Sequence, residues 1–256
     1  MKKKLAILLA MGLALSVMGC GKGVSKEDQT QPDAAKTEVN AVTNEADGAA
    51  EATKKSEGVM TYAEYAAAPL DSEVVVETFV QAKQSWWEDK ATFYTQDEDG
   101  GYFIYEMACS QEDYDKLVPG TKIKVTGAKS EWSGEVEIVD ASFEIEEGNF
   151  VASPYDASDL LGSDQLQDKQ NQLVSFRDLT VESVAYKNDQ PGDDIYVTFS
   201  KDGKSYDFCL EYYLNGSDEK FYNLVGGLQA GQTVDVEGFL YWYEGPNPHI
   251  TKVTVK

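Results

Sequence analysis

Side chains able to do covalent chemistry are scarce in this chain. His249 is its only histidine, so a Ser-His-Asp or Cys-His site would have to be built on it, and no nucleophile-elbow pattern accompanies it. It falls among strand residues after Pro246 and Pro248, the setting of a turn or strand-edge histidine. No Cys/His cluster has zinc spacing and no Gly-rich loop precedes a helix, so neither a metal nor another cofactor is expected. Asp97-Glu98-Asp99-Gly100 supplies half the carboxylates of a calcium loop, but the remaining spacing and closing Glu do not follow, which favours a solvated hairpin tip. Paired carboxylates stay open as an acid–base device, since 45 Asp and Glu bring some pair together by number alone. Nothing singles out such a pair, and no enzyme is expected.

The aromatic residues carry the better signal. Trp86 and Trp87 follow one apolar alternation, Trp132 follows another, and Tyr241, Trp242 and Tyr243 end a third, with Tyr186 at the end of a fourth. What positions them is a repeat. Leu117-Val118-Pro119-Gly120 leading into Ile123, Val125 and Gly127 returns 111 residues later as Leu228-Gln229-Ala230-Gly231 leading into Val234, Val236 and Gly238. Apolar residues two apart read as a half-buried strand. The leading Gly suits a tight turn, and the trailing Gly suits a bulge or sharp bend.

The flanks repeat as well. A short helical candidate precedes each template, Ser110–Leu117 and Glu219–Gly226. Before these come hairpins, with Thr92–Gln96 turning through Asp-Gly into Gly101–Met107, and Ile195–Ser200 turning into Lys204–Leu210. Asp-Gly between apolar alternations is a strong hairpin signal. Longer strands stand upstream, Glu73–Ala82 and Leu173–Tyr186, and fifth strands downstream, Glu135–Ile145 and His249–Val255.

Strand, hairpin, short helix, strand, strand resembles the OB-fold, a five-stranded Greek-key barrel with a helix between strands three and four. The expected fold is therefore mainly β, with two OB-fold-like barrels over residues 58–150 and 172–256 and a helical connector over 151–171. A single larger β-sandwich is the alternative. The order is similar to that of tandem OB-fold lipoproteins of bacteria. In OB-folds the loops joining strands one to two and four to five border the ligand face. The resemblance thus makes Trp86, Trp87, Trp132, Tyr186, Tyr241, Trp242 and Tyr243 the candidate ligand-binding residues, unless the rings plug the barrel ends.

Charge narrows the expected ligand. The chain carries 22 Lys and Arg against its 45 acids, a formal net charge of −23, and Arg177 is its only arginine. Phosphate backbones are held by clustered Lys and Arg, so nucleic acid is not expected as a partner. Trp and Tyr with few cations suit a protein, a peptide or a glycan, and the expected function is a binding module for one of these. A structural or assembly role in the cell envelope is the alternative. Cys109 and Cys209 each end an apolar strand and are expected as two separately buried thiols rather than a bridge.

The opening residues address the chain. Lys2, Lys3 and Lys4 precede an apolar run from Leu5 to Val17, shorter than the ~20 residues a spanning helix needs and suited to a signal peptide over residues 1–19. Val17-Met18-Gly19-Cys20 resembles the lipobox of bacterial lipoproteins, which implies cleavage before Cys20 and diacylglycerol on its sulfur. Two acyl chains make a stable membrane anchor. Residues 20–57 lack aromatics and almost all branched aliphatics, the composition of a flexible tether. The expected location is the extracytoplasmic face of the cell membrane. Cys20→Ala should release the protein from the membrane fraction or leave an unprocessed precursor, as fractionation and mass spectrometry would show; normal processing with membrane retention would contradict the anchor.

Overall fold

A computed structural model describes residues 55–256. The signal peptide, Cys20 and most of the expected tether lie outside these residues. Among the described residues no helix is long and apolar enough to cross a membrane. The order begins α1 (Tyr62–Ala67), β1 (Glu73–Lys83), β2 (Lys90–Gln96), β3 (Gly101–Ala108), α2 (Gln111–Lys116), β4 (Thr121–Trp132) and β5 (Glu135–Asn149). These five strands close into a barrel in the order β1-β2-β3-β5-β4. Closure runs through antiparallel β1–β4 pairing and a short parallel contact of β3 with β5 at Phe103–Glu137 and Ile104–Ile138. With α2 between β3 and β4, this is the OB-type arrangement. Val74, Val76, Phe93, Ile104, Ile123 and Ile138 fill its interior, each from the inward half of a period-two alternation.

The second half contains β6 (Tyr155–Asp156), a 3₁₀ turn at Asp164–Lys169, β7 (Leu173–Tyr186), β8 (Ile195–Lys201), β9 (Lys204–Leu210), α3 (Tyr212–Asn215), α4 (Glu219–Gly226), β10 (Thr233–Phe239) and β11 (His249–Val255). They form a six-stranded sheet, β10-β11-β9-β8-β7-β6, in which β10 also pairs with β7. Its core gathers Phe176, Phe199, Phe208, Val225, Val236 and Ile250.

The repeated glycines do equivalent work in both halves. Gly120 and Gly231 hold positive φ, +94° and +88°, in the turn into the strand, where a side chain would be strained. Pairing slips by one residue around Gly127 and at Gly238. There a Cβ would come within 2.8 Å of the Val139 carbonyl oxygen and 2.4 Å of that of His249. Glycine thus lets neighbouring backbones close over the bulge.

Two lysines pin the N-terminal side onto the first barrel. Lys55, in the stretch expected as tether, sits 2.7 Å from Asp97 Oδ2 and donates to the Glu77 carbonyl. The other Asp97 oxygen accepts the backbone N–H groups of Asp99 and Gly100, and Tyr102 donates to Oδ2. The acidic tetrad is thus a hairpin tip folded onto its own backbone. Lys129 is buried, and its Nζ donates to the carbonyls of Tyr65, Ala66 and Ala68 at 3.0, 2.8 and 2.9 Å. A short helix leaves its last carbonyls unpaired, and here one ammonium satisfies three groups at that end. Lys129→Met keeps the stem but abandons those acceptors. It should cost about 1–3 kcal/mol, read as a lower denaturant midpoint at unchanged slope.

Candidate functional site

The two halves meet on aromatic rings. Tyr94 of β2 stacks on Phe239 of β10 with centroids 4.6 Å apart, and Phe103 of β3 meets Tyr241 edge-on at 5.3 Å. His249 is buried here, stacked on Tyr241 at 4.2 Å, and the Tyr94 hydroxyl bonds its Nδ1. This corrects the expected turn or edge role: the histidine is a partner in the junction. Burial pushes its pKa down to about 3, so the ring is neutral. Burial raises the pKa of the Tyr94 hydroxyl, so the pair shares its hydrogen bond with both partners uncharged.

Beside this seam opens a cleft of about 630 Å³ whose lining includes Phe103, Tyr105, Trp132, Tyr196, Tyr241 and Tyr243, together with Glu137, Asp194, Glu211 and His249. Trp132 and Tyr243, equivalent positions of the repeat, face each other at 5.2 Å. The turn after β4 and the β10–β11 loop bring them together, tied by Glu244 N–H donating to the Ser133 carbonyl at 2.7 Å. Tyr105 and Tyr196 stand on the outward half of their strands' alternation and complete the wall.

The carboxyl groups here are short of counter-charge. Among the described residues lining the cleft there is no Lys or Arg. Burial raises the pKa of Glu137 and pushes Glu211 up to about 7. Glu211 accepts the Tyr213 and Leu214 N–H groups at the start of α3. Asp194 accepts from Tyr212 N–H and pairs with Lys187 at 2.9 Å. The cleft offers aromatic faces and negative potential.

A second, neighbouring cleft of about 590 Å³ shares Gln84 and Tyr105 and is walled by Trp86, Trp87 and Tyr213. Trp86 is half-buried against the first barrel's core and its Nε1 donates to the Cys109 carbonyl, whereas Trp87 is 72% exposed. The remaining candidates lie elsewhere. Trp242 lies against Gly134, and Tyr186 packs on Tyr222 and Gly226 beside α4. Cys109 and Cys209 are separate, free and buried, with both thiol pKa values raised by burial. Sequence reading missed Tyr105, Tyr196, Glu137 and Glu211. Outward-facing tyrosines in otherwise apolar strands were the available signal, but the junction that joins them spans the two halves. Among the described residues no group of three or more His, Cys, Asp or Glu could hold a metal ion.

No family model matches the chain, and no curated protein matches it. Similar solved structures include a murine DNA-binding protein bound with double-stranded DNA, at 13% identity and a TM-score of 0.35, covering 71% of this chain and 96% of that one. The HINa domain of Ifi202 with double-stranded DNA is similar at 11% identity and TM-score 0.33, covering 72% and 98%. A replication protein A heterotrimer bound to single-stranded DNA is similar at 12% and 0.30, covering 72% and 49%. These findings overturn the expectation of a protein, peptide or glycan ligand with nucleic acid excluded, and the envelope-assembly alternative goes with it. At these TM-scores the likeness assigns no ligand to this protein.

Exposure separates wall from core. Trp87→Ala and Trp132→Ala (72% and 54% exposed) should lower the melting temperature by no more than a few degrees. Tyr94→Ala should cost about 3–5 kcal/mol, the range for a large buried aromatic, and calorimetric melts of the three variants would show the contrast.

Proposed function

We propose that this protein captures a small alkylammonium compound in the cleft beside the junction. The observation that carries the reading is the wall of Tyr105, Trp132, Tyr196, Tyr241 and Tyr243 facing Glu137, Asp194 and Glu211 without a lining Lys or Arg. Ring faces attract an organic cation by about 0.5–2 kcal/mol each, and the desolvated Glu137 and Glu211 gain the counter-charge they lack. The volume suits a small molecule held by aromatic walls and a few polar groups.

Two structural readings accompany this proposal. The second sheet is taken as a barrel of the same OB type, supported by the β10–β7 pairing and the matching repeat. The lipid on Cys20 would hold the cleft outside the cell membrane, a reading that rests on Val17-Met18-Gly19-Cys20.

Titration calorimetry with choline and its uncharged tert-butyl analogue tests the cleft. Choline should bind, the analogue at least tenfold more weakly, and Trp132→Ala or Tyr243→Ala should each weaken choline several-fold. A cation prefers ionised carboxylates, so affinity should fall as pH drops through about 7, where Glu211 takes up a proton, and binding near that pH should release protons. Equal binding of the analogue, or occupation of the cleft by a single-stranded oligonucleotide instead of choline, would overturn the proposal.

A further inference from the structure

Glu135, the first residue of β5, is fully buried at the junction. Its Oε2 accepts the backbone N–H of Trp242 at 2.8 Å and Gln170 Nε2 at 3.2 Å. Its Oε1 has no partner, and neither does Oδ1 of buried Asn171. The Asn171 amide cannot simply be turned over, because its Nδ2 donates to the Val136 carbonyl at 2.9 Å. A contact from the Asn171 side chain favours the ionised Glu135 carboxyl, but burial outweighs it. A buried carboxylate oxygen with no partner is costly, and a proton on the carboxyl removes the uncompensated charge.

We infer that Glu135 is protonated in the folded protein and through Trp242 N–H positions the cleft wall carried by Tyr241 and Tyr243. The surroundings favour the neutral form. Burial pushes the Glu135 pKa up to about 8 against the hydrogen bonds of Trp242, Asn171 and Gln170, which favour the charge, and Glu137 on the same strand adds a like charge. The other titratable groups that feel Glu135 are Tyr62 and Tyr65 of α1, Tyr94 of β2 and Tyr241 after β10. None of these is a cation. One neutral carboxyl therefore clasps Gln170–Asn171 and Trp242 of the second half from the first barrel.

Glu135→Gln tests the assignment, because a glutamine keeps the accepting oxygen and supplies the donor that the proton provides. Infrared difference spectra at neutral pH should show a protonated-carboxyl C=O band in the full-length protein that is lost in Glu135→Gln. Between about pH 4.5 and 8 the folded state holds a proton that the unfolded chain releases. Stability therefore falls as pH rises across this window, and the unfolding constant of the natural protein should rise relative to E135Q by up to tenfold per pH unit. The ligand arm rests on the proposed cleft: choline affinity should be kept in Glu135→Gln and fall at least tenfold in Glu135→Ala. Absence of the band and of the relative pH slope would overturn the proton. If both are present and Glu135→Ala binds choline like the natural protein, the positioning role falls. If the natural protein does not bind choline, the cleft reading fails and takes the positioning role with it, while the proton stands on the spectra and the slope.

Discussion

The dry aromatic seam between the two halves is the contact on which the other functional features depend. Tyr94, Phe103 and Phe239 form a small buried cluster apart from either core. Each buried ring is worth about 1.5–3 kcal/mol relative to exposure, with somewhat more for the stacked pairs. Without this seam Trp132 and Tyr243 would end separate hairpins, and the acids of the two halves would share no cleft. The polar groups at its margin are tolerated because they are paired, as with Tyr94 and His249 or Gln96 and the Leu173 N–H.

Both ends of that seam are kept electrically neutral, and they respond to pH in opposite senses. His249 has a depressed folded pKa, so the unfolded chain gains a proton the folded one refuses, and stability is lost as pH falls below the ordinary imidazole range. At Glu135 the linkage has the reverse sign. The junction is therefore favoured in a middle range, bounded on the acid side by a ring that must not charge and on the alkaline side by a carboxyl that must not ionise.

Much of the fold was legible because β4 alternates through Ile123 and Val125 and the turns carry their own chemistry. The expected strand Leu173–Tyr186 and helix Glu219–Gly226 have the observed bounds. Local signals of this kind need no knowledge of distant partners. The site was legible only in part. Trp132 and Tyr243 were found through the repeat, while Glu137, Glu211 and Tyr196 join the site only where the halves touch. His249 shows the same limit, since neighbouring prolines describe its backbone and say nothing of Tyr94, 155 positions away along the chain.

The docking of Lys55 beside the hairpin tip has a mechanical consequence. Tension arriving along the chain from before Lys55 meets first the Lys55–Asp97 ion pair and the Lys55 bond to the Glu77 carbonyl, which spread it sideways onto the β2–β3 tip and β1. The pull is taken by side chains that can break and re-form singly. The ladders of β1 and β4, which run along each other through seven paired positions, lie behind that sacrificial link, and the cleft farther along the chain is shielded from the jolt.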